Sequence, residues 1–251
     1  MKFLYVILIL IMISCDDLEE HTGPHSEMYY VWSGWDEFMA QDYDQAKEFF
    51  LATLLVDEGS ESNYSAYAYS GLGWTAIYKA NVNLGIDNRT LREDLRDSSI
   101  YYFESALTII MDTLIIEEDT TIVEKIEDDD DLEMYANVLA GVVFNTSYLA
   151  IDKAMEFYSD GSDSLAWNEA LNYSQLVISS SDSLLSTFAD YDFKYDENIN
   201  VEDIRLLRAH TYIRLSKFEN AAIEIYLIPS LDCDLSQISV VECLYSSGLN
   251  P

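Results

Sequence analysis

Apolar residues in this chain return every three or four positions and almost never every two. Ala46, Phe50 and Thr53 keep that spacing, with Phe49 and Leu54 widening the stripe. So do Ile100, Phe103, Leu107 and Ile110, and again Tyr135, Val138, Leu139, Val142, Val143 and Leu149. Ile204 and Leu207, then Phe218, Ala221, Ala222 and Ile225, mark two more such faces. A period near 3.6 builds one apolar face per helix, whereas a half-buried strand needs alternation. The 251 residues hold only nine Gly and three Pro, too few for the many tight turns of a sandwich or barrel. Apolar, aromatic and Cys residues make up 49% of the chain, enough to build a core. An all-α body starting near Met28 is the expectation.

Charge narrows the partners. Thirteen Lys plus Arg face 46 Asp plus Glu, a formal net charge of −33. A field of that sign repels phosphate backbones and excludes nucleic acid as the partner. It favours a protein partner with a basic surface. Three Cys and three His are too few for a zinc framework, and no metal or other cofactor is expected.

The chain opens Met1-Lys2 and continues almost wholly apolar from Phe3 to Ile13. A basic start and a short apolar run read as a secretory signal, because a membrane span needs about 20 residues. The run ends Met12-Ile13-Ser14-Cys15, followed by Asp16-Asp17. This ending resembles a bacterial lipobox, in which the Cys becomes the lipidated N-terminus. The resemblance implies residues 1–14 as signal peptide, Cys15 as a lipid (palmitate) anchor, and a bacterial envelope location at the outer membrane. Residues 15–27, polar and holding Gly23 and Pro24, read as a flexible tether. Residues 28–251 then form the folded domain, with a loose C-terminal tail. Cys233 and Cys243 remain as an even pair outside the cytoplasm, either bridged or two thiols in that tail.

Internal similarity adds detail. Gly34-Trp35 recurs as Gly73-Trp74. Asp42-Tyr43-Asp44-Gln45-Ala46, then Phe50, is echoed near the end by Phe218-Glu219-Asn220-Ala221-Ala222 after Leu207-Arg208-Ala209. Both segments resemble the tetratricopeptide repeat, where a small residue on one helix packs against an Ala on the next. On that pattern Gly34, Gly73, Gly141 and Ala209 pair with Ala46, Ser99, Ala170 and Ala221. The first and last pairs have the family's spacing, and the middle two carry about 14 and 17 extra residues. The resemblance implies a right-handed α-solenoid of about four helix pairs, the middle ones with insertions.

Nucleophile elbows, metalloprotease helices and phosphate-cradling loops are all missing from the sequence, so no enzyme is expected. The repeat resemblance implies instead a groove lined by first helices, with Trp35, Phe38, Tyr67, Trp74, Tyr78, His210 and Arg214 as candidate partner contacts. Large aromatics are the usual anchors of such contacts. The expected function is a lipid-anchored scaffold or adaptor that binds a protein partner. A surface lipoprotein that captures a glycan or small ligand is the alternative, its aromatics stacking on sugars. Arg89, Arg92 and Arg96 share one helical face, interleaved with Glu93, Asp94 and Asp97, and read as local ion pairs. The acidic run from Glu117 to Asp131 reads as solvated linker and helix N-cap.

Overall fold

The computed structural model describes residues 26–56, 64–83, 88–113, 126, 129–160, 164–231, 233, 235 and 238–246. Among them are nine helices and no strand: α1 Glu27–Met39, α2 Tyr43–Val56, α3 Tyr64–Val82, α4 Arg89–Thr113, α5 Asp129–Asp160, α6 Ser164–Thr187, α7 Val201–Arg214, α8 Phe218–Tyr226 and α9 Val240–Ser246. The expected signal (1–14), Cys15 and nearly all of the expected tether lie outside the described residues. The helices pack as consecutive pairs, α1 on α2, α3 on α4, α5 on α6 and α7 on α8. The second helix of each pair also touches the first helix of the next, and the first helices α1, α3, α5 and α7 contact one another in series.

Two phenylalanines show how successive pairs join. Phe50 of α2 is fully buried, and a Cβ added at Gly34 of α1 or Gly71 of α3 would lie 2.5 Å or 2.3 Å from its ring. Phe103 of α4 is held the same way between Gly73 of α3 and Gly141 of α5, at 2.6 Å and 2.1 Å. Each ring sits between two helix backbones that approach closely because no side chain intervenes. That contact offsets the ~1 kcal/mol that a mid-helix Gly costs relative to Ala. It also corrects the register of the third pair. Gly141 closes on the preceding α4, the role Gly71 plays toward α2, so Val143 stands where Gly73 stands in α3.

The first and last pairs share one turn. Ala40, Gln41 and Asp42 donate backbone N–H groups to Asp36, Phe38 and Glu37; Leu215, Ser216 and Lys217 donate to Thr211, Ile213 and Tyr212. Gln41 and Ser216 both adopt left-handed backbone, φ 64° and 58°. The two turns correspond residue for residue, and Ala46 and Ala221 stand at the same place after them, both fully buried. The middle pairs carry their extra residues mostly as longer helices, with a connector of six residues in the second pair against three in the first. α4 runs ten residues before reaching Ser99, and α5 continues seventeen residues past Val143.

α5 is long and apolar enough to cross a bilayer by length and composition, yet 83% of its most apolar window is buried inside the protein. It is the central core helix, wrapped by α3, α4, α6 and α7. Its first turn holds Asp129, Asp130 and Asp131, acids that suit the positive end of a helix dipole.

The described part of the C-terminal tail is not loose. Cys233 and Cys243 are bridged, with Cα atoms 5.8 Å apart. Cys243 and Leu244 are buried with Ala209 and Ile225, so α9 caps the last pair. Closing so short a loop stabilises by about 3 kcal/mol through lost chain entropy. Cys233→Ser together with Cys243→Ser should lower the denaturation free energy by about that amount, and a reductant should do the same to the wild type only. Unfolding curves in both conditions check this.

Candidate functional site

Between α6 and α7 the chain leaves the helical pattern for residues 188–200 and crosses the series of first helices. It does so as a small self-bonded hairpin. Phe193 N–H donates to Ile199 O at 2.9 Å and Val201 N–H to Tyr191 O at 2.8 Å, while Asp196 N–H closes on Phe193 O. Asp192 and Asn200 form an isolated antiparallel bridge. The exit is fixed by a capping box, in which Asn200 Oδ1 accepts from Glu202 N–H and Asp203 Oδ2 accepts from Asn200 N–H.

Aromatic residues at alternate positions of this hairpin face the helices. The Tyr195 ring stacks on Trp35 at 3.8 Å between centroids with the planes 3° apart. Phe193, fully buried, stacks on Trp74 at 4.4 Å and meets Phe38 edge-on. Tyr191 Oη donates to Asn137 Oδ1 at 3.1 Å, and Asn137 O accepts from Trp74 Nε1 at 3.0 Å, so one residue of α5 ties hairpin to α3. Tyr78 Oη donates to the Asp196 carboxylate. Lys194 pairs with Glu133 of α5 at 2.9 Å and lies over the Trp32 and Tyr195 rings. Burial and the neighbouring Asp196 push the Tyr78 phenol well above its ordinary range. Burial works against the Asp196 charge, but hydrogen bonds from Tyr78 and Asn198 outweigh it and hold that carboxyl below its usual range.

The candidate groove is therefore occupied by the chain itself. Trp35, Phe38 and Trp74 are core residues with 3% exposure or less, which corrects their reading as surface anchors. The same stacking closes the aromatic faces on which sugar capture rested. Tyr78 joins them through Asp196, whereas Tyr67 Oη donates to Asp131 of α5 at 2.8 Å. His210 is partly buried on α7, and Arg214, one turn later, donates to Ser174 Oγ of α6 at 3.1 Å. Burial pulls the Arg214 pKa down. Each Gly-Trp step thus has two faces, the Gly toward a second-helix Phe and the Trp toward the hairpin. The fit under Tyr195 is incomplete: Trp35 Nε1 and Ser70 Oγ are buried without a hydrogen-bond partner among the described residues, and both residues line a narrow crevice beside Asp130, Glu133 and Tyr195. Groups left so cost roughly 1–3 kcal/mol each.

Open space lies elsewhere. A cleft of about 470 Å³ between α4, α5 and α6 is lined by Glu93, Asp97, Leu149, Lys153, Glu169 and Tyr173. Lys153 Nζ stands 3.6 Å, 3.2 Å and 3.4 Å from Glu93, Glu156 and Glu169. Burial lowers the Lys153 pKa, but these carboxylates outweigh it and hold the ammonium charged. Burial, Asp97 and Glu169 raise the Tyr173 phenol. A second cleft of about 370 Å³ joins the hairpin to α7 and includes Glu197, Glu202 and Asp203.

The arginine face of α4 turns inward. Arg96 is 2% exposed, donates to Asp152 of α5 at 2.7 Å and lies over the Tyr148 ring. Arg92 also reaches Asp152, and Arg89 pairs with Glu156 as well as Glu93. The local ion pairs expected from sequence are mostly bonds between α4 and α5. A second buried ion group escaped the sequence reading altogether: Arg208 of α7 donates to Glu224 of α8 at 2.8 Å, and to Ser181 Oγ and Asp182 of α6 at 2.7 Å each.

Comparison of the chain with protein-family models, with curated proteins and with solved structures finds no match.

Proposed function

We propose that this protein is a non-enzymatic adaptor, lipid-anchored at Cys15 on a bacterial cell envelope, that holds a protein partner with a basic surface. Its body is read as a right-handed α-solenoid of tetratricopeptide type. The matching turns at Gln41 and Ser216 and the two Gly-flanked phenylalanine contacts support that reading. The observation that carries the partner class is the carboxylate-lined cleft between α4, α5 and α6 on a chain of net charge −33. Among the described residues Glu93, Asp97 and Glu169 line the cleft against Lys153 alone, and with Arg89 also on Glu93 it still keeps an acidic excess for a partner's Lys or Arg.

Two variants test the reading. Asp97→Lys with Glu169→Lys should cut capture of basic membrane-derived proteins by at least tenfold at ~0.15 M salt, with the helical signal unchanged. An identical set of captured chains would remove the cleft from the proposal. Cys15→Ala should move the full chain from the membrane pellet to the soluble fraction. Retention in the pellet would overturn the anchor.

A further inference from the structure

The hairpin across the first helices has the features of a bound segment more than of a connecting loop. Its backbone polar groups are satisfied largely within itself, by the bonds between Phe193 and Ile199, Tyr191 and Val201, and Asp196 and Phe193. It meets the helices chiefly through side chains: Tyr191, Phe193 and Tyr195 into the groove, with Lys194 and Asp196 reaching Glu133 and Tyr78. Extended recognition segments bind by the same alternation of inward side chains. A unit so built can leave without breaking a helix.

The second observation is the mismatch beneath it. Trp35 is 2% and Ser70 1% exposed, and their Nε1 and Oγ atoms have no hydrogen-bond partner among the described residues. Both line the crevice under Tyr195 and Lys194. A Trp N–H donates only, so the groove asks for an acceptor oxygen that the Tyr195 ring does not supply. An occupant with alternate aromatics and one carbonyl, amide or hydroxyl oxygen at that depth would satisfy what the hairpin leaves open.

We infer that the groove of α1, α3 and α5 is a recognition site for an extended partner segment with aromatic residues at alternate positions and an acceptor oxygen for Trp35 Nε1 and Ser70 Oγ, held shut by the chain's own 191–200 hairpin. The inference does not rest on the acidic cleft, which lies between α4, α5 and α6. In the closed protein the apparent affinity for such a segment is reduced by the small fraction of molecules that are open.

The test uses the full chain and a fluorescent synthetic peptide of residues 189–201. The wild type should bind it weakly. Phe193→Ala with Tyr195→Ala should bind it at least tenfold more tightly, and the peptide should raise the melting temperature of that variant. Tyr78→Phe, which removes only the bond to Asp196, should fall between the two. A peptide with Tyr191, Phe193 and Tyr195 all replaced by alanine should bind none of them. If the double variant does not fold alone, the peptide should restore its helical signal. A folded variant that gains no affinity, an unfolded variant that the peptide does not restore, wild-type binding equal to the variant's, or equal binding of the alanine peptide would each overturn the inference.

Discussion

Trp74→Ala should destabilise the protein by about 3–5 kcal/mol, a large part of the 5–15 kcal/mol that holds a typical domain folded. Trp74 is fully buried at the meeting point of three parts of the chain. Its ring stacks on Phe193 of the hairpin and contacts Phe103 of α4 and Phe144 of α5, and its Nε1 donates to Asn137 O. Truncation opens a cavity between elements that cannot collapse, because the helix backbones are already pinned by the Gly contacts at Phe103. It also leaves the Asn137 carbonyl short of a donor. Trp74→Phe keeps most of the volume and should cost clearly less. Urea unfolding of both variants checks the order. Both variants lose the Nε1 bond equally, so their difference reads the ring volume alone, and two equally stable variants would mean that the cavity refills.

Arg208→Ala should cost about 3–5 kcal/mol for an electrostatic reason. Arg208 and Glu224 are both almost wholly buried, and their bond at 2.8 Å is the main compensation for taking either charge out of water. Arg205 also reaches Glu224, at 3.2 Å, which places the loss toward the lower end. Asp182 is 61% exposed at its side chain and loses little. Arg208→Leu with Glu224→Leu removes both charges and should recover most of the stability, since an apolar pair carries no desolvation cost. A double-mutant cycle by chemical denaturation measures the coupling. Additive losses would show that Glu224 finds other partners.

The two predictions draw on residues of unequal legibility. Trp74 stands out in the sequence through the Gly-Trp step, but the step does not tell a groove surface from the core in which Trp74 lies. Arg208 lies inside the segment that resembles a repeat, where nothing local sets it apart. A single Arg in a helix carries no local sign of burial; its partners come from Ser181, Asp182 and Glu224, 16 to 27 residues away. The same holds for Arg96, whose neighbours along the helix are acidic while its bond runs to Asp152, 56 residues on. Charge patterning along one helix says which pairs are near in sequence, not which are near in space.

What the sequence determined by itself is the local order. The 3.6-residue period specifies helices, and the recurrence of small residues beside aromatics specifies where they cross, because a close backbone approach needs a missing side chain on one partner. The bridge between Cys233 and Cys243 was open to count but not to geometry. Tertiary structure alone decided the register of α5, since Gly141 and Val143 are both compatible with a helix–helix contact and only the ring of Phe103 chooses between them. It also decided the fate of the first-helix groove. Tyr191, Phe193 and Tyr195 alternate for just three turns of the pattern, too few to read as a strand, and nothing near them names the surface they cover. That surface is assembled from α1, α3 and α5, whose contacts with Tyr191, Phe193 and Tyr195 span from 54 residues (Tyr191 to Asn137) to 160 (Tyr195 to Trp35), so the hairpin's occupancy of it exists only once the pairs have stacked.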